Sequence, residues 1–407
     1  MNTILHLGLG RFHRGHQAVY YQHSGAWKVI SSSMRSAVEK HKLKDVHLRY
    51  PVLELSHEGE KLTWIDCIEE ALSLSEDLPR LLQHFLSPEI KIITLTITEK
   101  GYCLNSQGEL DFNHPQILHD LRNLDDPHSA IGLLSLGLSK RKETVTVISC
   151  DNLRENGKKL EAALLSFNEK TGRSLPPATF PSTMVDRIVP ALLPEKIKEL
   201  EKSHQLSNSE LIATERFSQW VIEDNFFSER PDWQEVGVQF VSDVRPYEEM
   251  KLRLLNASHS YLAYAGLNRG YTFVHEAIQD PGLLDNIGQL MKEEVVPLLT
   301  LPSGFNVAKY IDDLIFRFRN DKLPHQLRQI AMDGSQKMPG RIFSSIEAAR
   351  RSNRAHVVLL KVADEWMNFL WNSRDGRIDD PKATELLSGI GVGIDAWKKN
   401  LYKEFGL

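Results

Sequence analysis

Four side chains near residue 250 have types and spacing that could do chemistry. Glu248, Lys251, Asn256 and His259 stand in the run PYEEMKLRLLNASHSYLAYAG, whose apolar spacing reads as a helix. At about 100° per residue, with Lys251 at zero, Glu248 projects at roughly 60°, His259 at roughly 80° and Asn256 at roughly 140°. Leu252 and Leu255 share that arc. Polar groups set among apolar ones cost free energy unless they are paired or used. The use open to this set is oxidation of a secondary alcohol. A lysine desolvated by apolar neighbours gives up part of its preference for the ammonium form, so it can take a hydroxyl proton at neutral pH. An asparagine amide can donate to the developing oxyanion without adding charge. Glu248, one turn earlier, could pass the proton on to water. Lys251 and His259 are separated by about 12 Å of helix rise, room for a six-carbon chain between their side chains. An ordinary Glu–Lys helix pair beside a satisfied core histidine meets the same spacing.

A second constellation sits at the N-terminus. Gly8-Leu9-Gly10 ends a short apolar run and is followed by Arg11, Phe12, His13, Arg14, Gly15 and His16. A tight strand-to-helix turn needs residues without a Cβ, and the next helix offers backbone N–H groups and a positive dipole end to a pyrophosphate. Arg14 could add a charge-assisted contact. The third glycine of G-x-G-x-x-G is replaced by His13. His13 and His16 lack a third ligand at metal-site spacing, so capping or ligand-facing roles are favoured over zinc. After the second strand candidate come Ser33, Met34, Arg35, Ser36 and Ala37. No carboxylate is present there to grip an adenosine ribose. Arg35 could tolerate a 2′-phosphate or stack on adenine, which leaves NAD against NADP open.

Tyr247 and Lys251 also match Y-x-x-x-K, the dyad of short-chain dehydrogenases. In that arrangement the tyrosine belongs to the nucleotide-binding domain itself. Here the pair follows Pro246, far down the chain, and the glycine turn lacks G-x-x-x-G-x-G spacing, so this reading ranks low.

The elements that must carry these residues alternate at first. Strand candidates lie at Ile4–Leu9, Trp27–Met34, Lys91–Thr98 and Glu143–Cys150. Helical stretches fall between them, at 13–24, 76–86 and 128–140. Such alternation argues for a parallel, doubly wound sheet. Two strand candidates follow, around Phe217–Glu223 and Val236–Val241. Beyond Pro246 the chain reads as nearly all helix, at 247–266, 283–299, 306–318, 342–351, 353–374 and 382–404. The expected architecture is α/β: a Rossmann-like nucleotide-binding domain over 1–206, its sheet extending to about 244, then a mostly α-helical substrate-binding domain over 207–407. Ligand clefts commonly sit at such junctions.

The 407 residues carry a net charge of −5, with 41% apolar and 25% charged residues. That balance excludes a disordered chain and offers no basic field for a nucleic acid. Three scattered cysteines, Cys67, Cys103 and Cys150, suit a reducing, cytoplasmic compartment rather than a disulfide framework. No stretch is long and apolar enough for a membrane span, and the short N-terminal apolar run, broken by Arg11, does not read as a signal peptide.

Several blocks together resemble the polyol-specific long-chain dehydrogenases, the mannitol dehydrogenase family. They are GLGRFHRGHQAVY, TLTITEKGY, SCDNLRENG, MVDRIVP, FSQWVIEDNF, VGVQFVSDVRPYEEMKLRLLNASHS and QIAMDGSQKMPGR. The K-x-x-x-x-N-x-x-H pattern of Lys251, Asn256 and His259 is the most specific of these. The resemblance implies a metal-independent, NAD-dependent oxidoreductase of sugar alcohols or sugar acids, NADP not being excluded. By family pattern Lys251 is the general base, Asn152 and Asn256 form the oxyanion pocket, and His259 binds a substrate hydroxyl. Glu248 gates proton exchange, and Asp186 and Lys337 match substrate-contacting positions. Gly8, Gly10, Phe12, Arg14, Arg35 and Glu99 are the cofactor-binding candidates. Two departures stand out. Ser36 and Ala37 replace the acidic residue that mannitol dehydrogenases carry after the strand 2 arginine, and Gln329 stands where they place an arginine. The QIAMDGSQK-x-P-x-R form is closer to the fructuronate reductase (mannonate oxidoreductase) branch. Arg328, Lys337 and Arg341 could supply charge for a substrate carboxylate. D-mannonate/D-fructuronate is therefore favoured, with mannitol 2-dehydrogenase or a related sugar-alcohol dehydrogenase as the alternative. A non-catalytic dinucleotide-binding sensor is the alternative of another class. Partners are expected to be small molecules, with the protein a monomer or homodimer.

Overall fold

Runs such as IKIITL and VTVIS are β-branched and bury almost every side chain, as strands covered on both faces must. They lie at the centre of a parallel sheet in a computed structural model that describes residues 2–25, 27–206, 210–302, 304–373 and 378–406. The chain divides into two compact units, Met1–Arg245 and Pro246–Leu407.

The first unit holds β1 (Thr3–Leu7), β2 (Lys28–Ser33), β3 (Tyr50–Ser56), β4 (Gly59–Ile65), β5 (Ile68–Ser73) and β6 (Ile90–Leu95). It continues with β7 (Val145–Ser149), β8 (Ala178–Thr179), β9 (Thr183–Asp186), β10 (Ile212–Glu215), β11 (Gln219–Glu223) and β12 (Gln239–Val241). The main sheet has six strands in the order β5-β2-β1-β6-β7-β8, and every neighbouring pair is parallel. The chain works outward from β1 to β2 and β5, then returns to β6 on the other side. The reversal between β1 and β6 is the switch point at which open α/β sheets bind ligands. Registers Leu7↔Ser32 and Leu7↔Leu95 bring the turns after β1, β2 and β6 to one edge.

Two smaller three-stranded sheets, β10-β3-β4 and β12-β11-β9, complete the unit. The antiparallel hairpin of β3 and β4 was not legible in the sequence. All of β3 is buried, yet it carries Glu54, which interrupts the apolar run. The fold satisfies that carboxylate with the buried Arg187, at 2.7 Å. The sequence reading began the helical part at 207, with the sheet reaching about 244. In the structure β10, β11 and β12 lie in the first unit, which ends at Arg245.

The single helix expected at 13–24 is two short ones, Arg11–Gly15 and Gln17–Ser24, broken where His16 leaves helical geometry at φ −126° and ψ −83°.

The second unit is built of helices around a core that includes Tyr261, Leu262, Tyr264, Trp366 and Met367. Helix Ala257–Asn268 packs on Val357–Asn372 and Leu327–Ala331. The helix expected at 382–404 is interrupted: Gly389 and Gly393 take φ of +72° and +96°, and the regular stretch begins at Ile394. The helices expected at 247–266 and 283–299 each contain a π segment, Lys251–Asn256 and Leu290–Val295.

Gly8 has φ +115°, and a Cβ there would lie 2.0 Å from the Thr96 carbonyl oxygen. We expect Gly8→Ala to cost about 1–3 kcal/mol and to lower the melting temperature by roughly 2–6 °C. An unchanged melting curve would show that the turn after β1 relaxes without penalty.

Candidate active site

In the first unit the turn after β1 is fixed from below by histidines. His6 and His13 stack with ring centroids 3.4 Å apart. His6 places Nδ1 2.8 Å from Thr94 Oγ1 and Nε2 2.8 Å from Thr96 Oγ1. Burial pulls its pKa down to about 3, so the ring is neutral. His13 Nε2 meets Ser31 Oγ at 3.0 Å, and His16 Nε2 meets the Gln219 carbonyl at 3.0 Å. Both histidines are thus committed to the protein.

Gly10 caps helix Arg11–Gly15 with no side-chain hydrogen bond. A Cβ there would meet only the Gly8 oxygen, at 3.9 Å. The first N–H groups of a helix have no intrahelical partner. The open space over Gly10, the uncapped helix start and the switch point of the sheet fit the pyrophosphate of a dinucleotide. Because that helix has only five residues, the fit rests on backbone N–H groups more than on a long helix dipole.

Arg14 departs from its expected role. Its guanidinium is 2% exposed and paired with Glu39 and Glu210, with its carbon 5.7 Å from the Tyr50 ring centre. Its charge is spent inside the fold rather than on a phosphate. Phe12 is half-buried and stacks on His16 at 5.1 Å. Arg35 is exposed and donates to Thr98 Oγ1 at 3.4 Å. Glu99, also exposed, opens the short 3-10 turn that follows Thr98. Arg35 and Glu99 are thereby brought together at the edge where β2 and β6 end.

Asp151, not singled out from the sequence, organises the next stretch of that edge. Its carboxylate accepts from the backbone N–H of Ile97 at 3.0 Å and of Thr98 at 2.8 Å, and from the Tyr102 hydroxyl at 2.7 Å. Burial raises its pKa to about 6 against those hydrogen bonds. It therefore ties the loop after β6 to the loop after β7. Asn152 follows it and is exposed. Buried Asn156 then donates to the carbonyls of Asp151 and Thr183, at 2.9 and 3.0 Å. Thr183 opens β9, whose last residue is the buried Asp186. The only sequence signal for Asp151 was a carboxylate directly after a strand end.

In the second unit Lys251 begins the π segment that ends at Asn256. Hydrogen bonds of the i→i+5 type turn the chain less per residue than an α-helix does. Asn256 therefore lies nearer the Lys251 side than α-helical geometry places it, and π insertions often occur at functional sites. Glu248, Lys251 and Asn256 are all half-buried. His259, one turn on, is buried, with no hydrogen-bond partner at Nε2. Its ring centre is 4.8 Å from that of Phe318 and 5.6 Å from that of His325. Burial first, then His325, Arg317, Arg341 and Lys251, hold its pKa well below the usual value. Arg341 donates from Nη1 to the Asn256 carbonyl at 3.3 Å and to Ser260 Oγ at 3.0 Å. Lys337 donates to the carbonyls of Met332 at 2.6 Å and Ile330 at 3.3 Å. Arg317 and His325 join this cluster without having been singled out from the sequence.

The family described as Mannitol dehydrogenase Rossmann domain matches residues 2–235, and Mannitol dehydrogenase C-terminal domain matches residues 243–388. The chain belongs to the mannitol dehydrogenase family. It is accordingly an oxidoreductase acting on CH–OH groups, of a family that works with NAD. It is 40% identical to the D-mannonate oxidoreductase of Escherichia coli over 387 residues, covering 90% of this chain and 80% of that one. It is 35% identical to a mannitol 2-dehydrogenase of Pyricularia oryzae, covering 96% and 83%. Among solved structures, the ternary complex of Pseudomonas fluorescens mannitol 2-dehydrogenase with NAD and D-mannitol aligns with a TM-score of 0.86. That alignment has 33% identity and covers 98% of this chain and 85% of that one. Among the described residues no helix is long and apolar enough to cross a membrane.

Asp151 gives this mannitol dehydrogenase family member a pH signature. Its folded pKa of about 6 lies above the ordinary aspartate value of 3.8, so the folded chain holds this proton more tightly than the unfolded one. The corresponding stability is present below about pH 4 and is lost as pH rises towards 6. In thermal melts, the stability of the native protein relative to Asp151→Asn should fall across that window and level off above it. A difference that stays flat or grows with pH would contradict this.

Proposed function

We propose that the enzyme interconverts a linear polyol or aldonate with its ketose or keto-acid, D-mannonate and D-fructuronate being the favoured pair. The observation that carries this choice is the charge around His259. Arg317 and Arg341 both act on one neutral, buried imidazole, which is more fixed positive charge than a neutral polyol needs and suits a substrate carboxylate. The 40% identity to a D-mannonate oxidoreductase supports the same choice. The alternative, oxidation of mannitol, is supported by the structural likeness to the mannitol complex.

NAD, when bound, supplies the acceptor for the hydride that leaves the carbinol carbon. Gly10 leaves room for its pyrophosphate and Gly8 permits the tight turn beneath it, with Phe12, Arg35 and Glu99 as further contacts. NADP remains an alternative, since Ser36 and Ala37 set no carboxylate against a 2′-phosphate. Lys251, in its uncharged form, takes the hydroxyl proton as the C–O bond gains carbonyl character. The amides of Asn152 and Asn256 donate to that oxygen and stabilise its developing charge. Glu248 moves the proton from Lys251 towards water. Neutral His259 can donate to or accept from a substrate hydroxyl. Asp186 and Lys337 contact further hydroxyls, and Arg341 holds the carboxylate. The free, buried thiols of Cys67, Cys103 and Cys150 support a reducing, cytoplasmic setting.

Two measurements test this reading. Lys251→Ala should lower turnover by about 100-fold or more while NADH still binds, as followed by its fluorescence. Retained turnover would remove Lys251 as the base. In a spectrophotometric panel, fructuronate, tagaturonate, fructose and their phosphates are offered with NADH and with NADPH. The keto-acids should be preferred, and Arg341→Met should lower kcat/KM for them by roughly 10- to 100-fold, the size of a lost charge-assisted hydrogen bond, with little effect on fructose. Turnover of fructose alone would overturn the hexuronate assignment.

A further inference from the structure

We propose that His119, Asp126 and His128 form a binding site for a divalent cation of the zinc type, separate from hydride transfer. One ligand atom from each of these residues lies within 4.8 Å of the other two. They come from the helix Pro115–Arg122 and the segment that follows it. Ligands on one tetrahedral zinc lie about 3.3 Å apart for bonds near 2.0–2.1 Å. Closing the remaining gap needs only side-chain rotation, and both Asp126 and His128 are exposed.

The site is supported from beneath by a second carboxylate. Asp120 is 1% exposed. Its Oδ1 lies 3.2 Å from His119 Nδ1 and accepts from the His128 backbone N–H at 2.6 Å. Its Oδ2 accepts from the backbone N–H of Ser129 at 2.9 Å and from the Ser129 hydroxyl. Ser129 in turn caps the helix Ala130–Ser139 through the Gly132 N–H at 2.9 Å. With Nδ1 held by Asp120, His119 has Nε2 left for a ligand. A buried carboxylate on the inner nitrogen of an outward-facing histidine is the arrangement that orients and strengthens metal-ligating imidazoles. The His119 and His128 rings stand face to face, 3.6 Å between centroids and 9° from parallel. A common ion requires His128 to rotate out of this stack, which its exposure permits.

The donor set chooses the ion. Two imidazoles and one carboxylate suit zinc, nickel or copper, whereas magnesium and calcium prefer all-oxygen shells. Three protein ligands leave a fourth position for water. A bound ion would tie the loop at 123–129 back onto the helix that carries His119.

The test is calorimetric titration of the full-length, EDTA-treated protein with zinc sulfate, beside thermal melts with and without zinc. One equivalent should bind and raise the melting temperature, and excess magnesium should not compete. The variant His119→Ala/His128→Ala should lose this binding and the thermal shift while keeping the native turnover rate. Asp126→Asn, a smaller change, should weaken binding by about 10-fold or more. Equal zinc binding by the native protein and the double variant would overturn the proposal, as would absence of binding by the native protein or displacement of zinc by magnesium.

Discussion

A base and an oxyanion donor that serve the same substrate oxygen must reach it from nearly the same direction. In an α-helix, residues five apart differ in direction by roughly 140°, so Lys251 and Asn256, in the roles proposed for them, could not both meet that demand. The helix departs from α geometry between those two residues, in the π segment Lys251–Asn256. Such a segment is uncommon and needs support from its surroundings. Here it packs against two others, Leu290–Val295 and Pro339–Phe343. From the second of these Arg341 reaches the carbonyl of Asn256 and the hydroxyl of Ser260. One cation thereby satisfies the backbone where the π segment gives way to the α-helix and acts on the buried His259.

The nucleotide-binding half solves a different problem, holding a glycine turn rigid without side chains of its own. Gly8 admits no Cβ because the Thr96 carbonyl is in the way. The turn is held instead by neighbouring polar groups. The Gly8 and Leu9 N–H groups donate to the Ser32 carbonyl at 2.7 and 3.1 Å. Thr96 Oγ1 donates to the Gly8 carbonyl at 2.8 Å. The neutral His6 ring joins Thr94 to Thr96 below it. A buried polar network of this kind fixes one geometry because any displacement leaves a desolvated group unpaired. Asp151 extends the same logic to the loops after β6 and β7, where the dinucleotide cradle meets Asn152.

How far the sequence disclosed this depended on whether local pattern and tertiary demand agreed. The core strands β6 and β7 were legible because double burial writes itself as β-branched runs, and β1 because a short apolar run ends in the glycine turn. The hairpin β3–β4 was hidden because Glu54, paired to a distant Arg187, breaks such a run. The residues of the lysine helix were legible by type and spacing, but their directions were not. An α-helical projection has no means of anticipating i→i+5 bonding, which depends on packing from residues about forty and ninety positions away. Arg14 shows the opposite error. An arginine beside a glycine turn invites a phosphate, and only the fold brings Glu39 and Glu210 to it. Arg317 and His325 gave no sequence signal, since nothing local distinguishes them from surface residues.

The charge around His259 links the proposed mechanism to the proposed substrate. Burial and neighbouring cations keep this imidazole neutral, so its unpartnered Nε2 can donate to or accept from a hydroxyl group according to tautomer. The positive charge beside it therefore resides on the arginines, whose protonation does not change near neutral pH. A pocket that read a carboxylate through histidinium would lose its selectivity as pH rose through the histidine range. Arg317 and Arg341 carry no such dependence. In the proposed reaction, discrimination between an acidic sugar and a neutral polyol is thus set by fixed charge, while proton movement is assigned to Lys251 and Glu248. Placing the two tasks on different residues lets one vary with pH without disturbing the other.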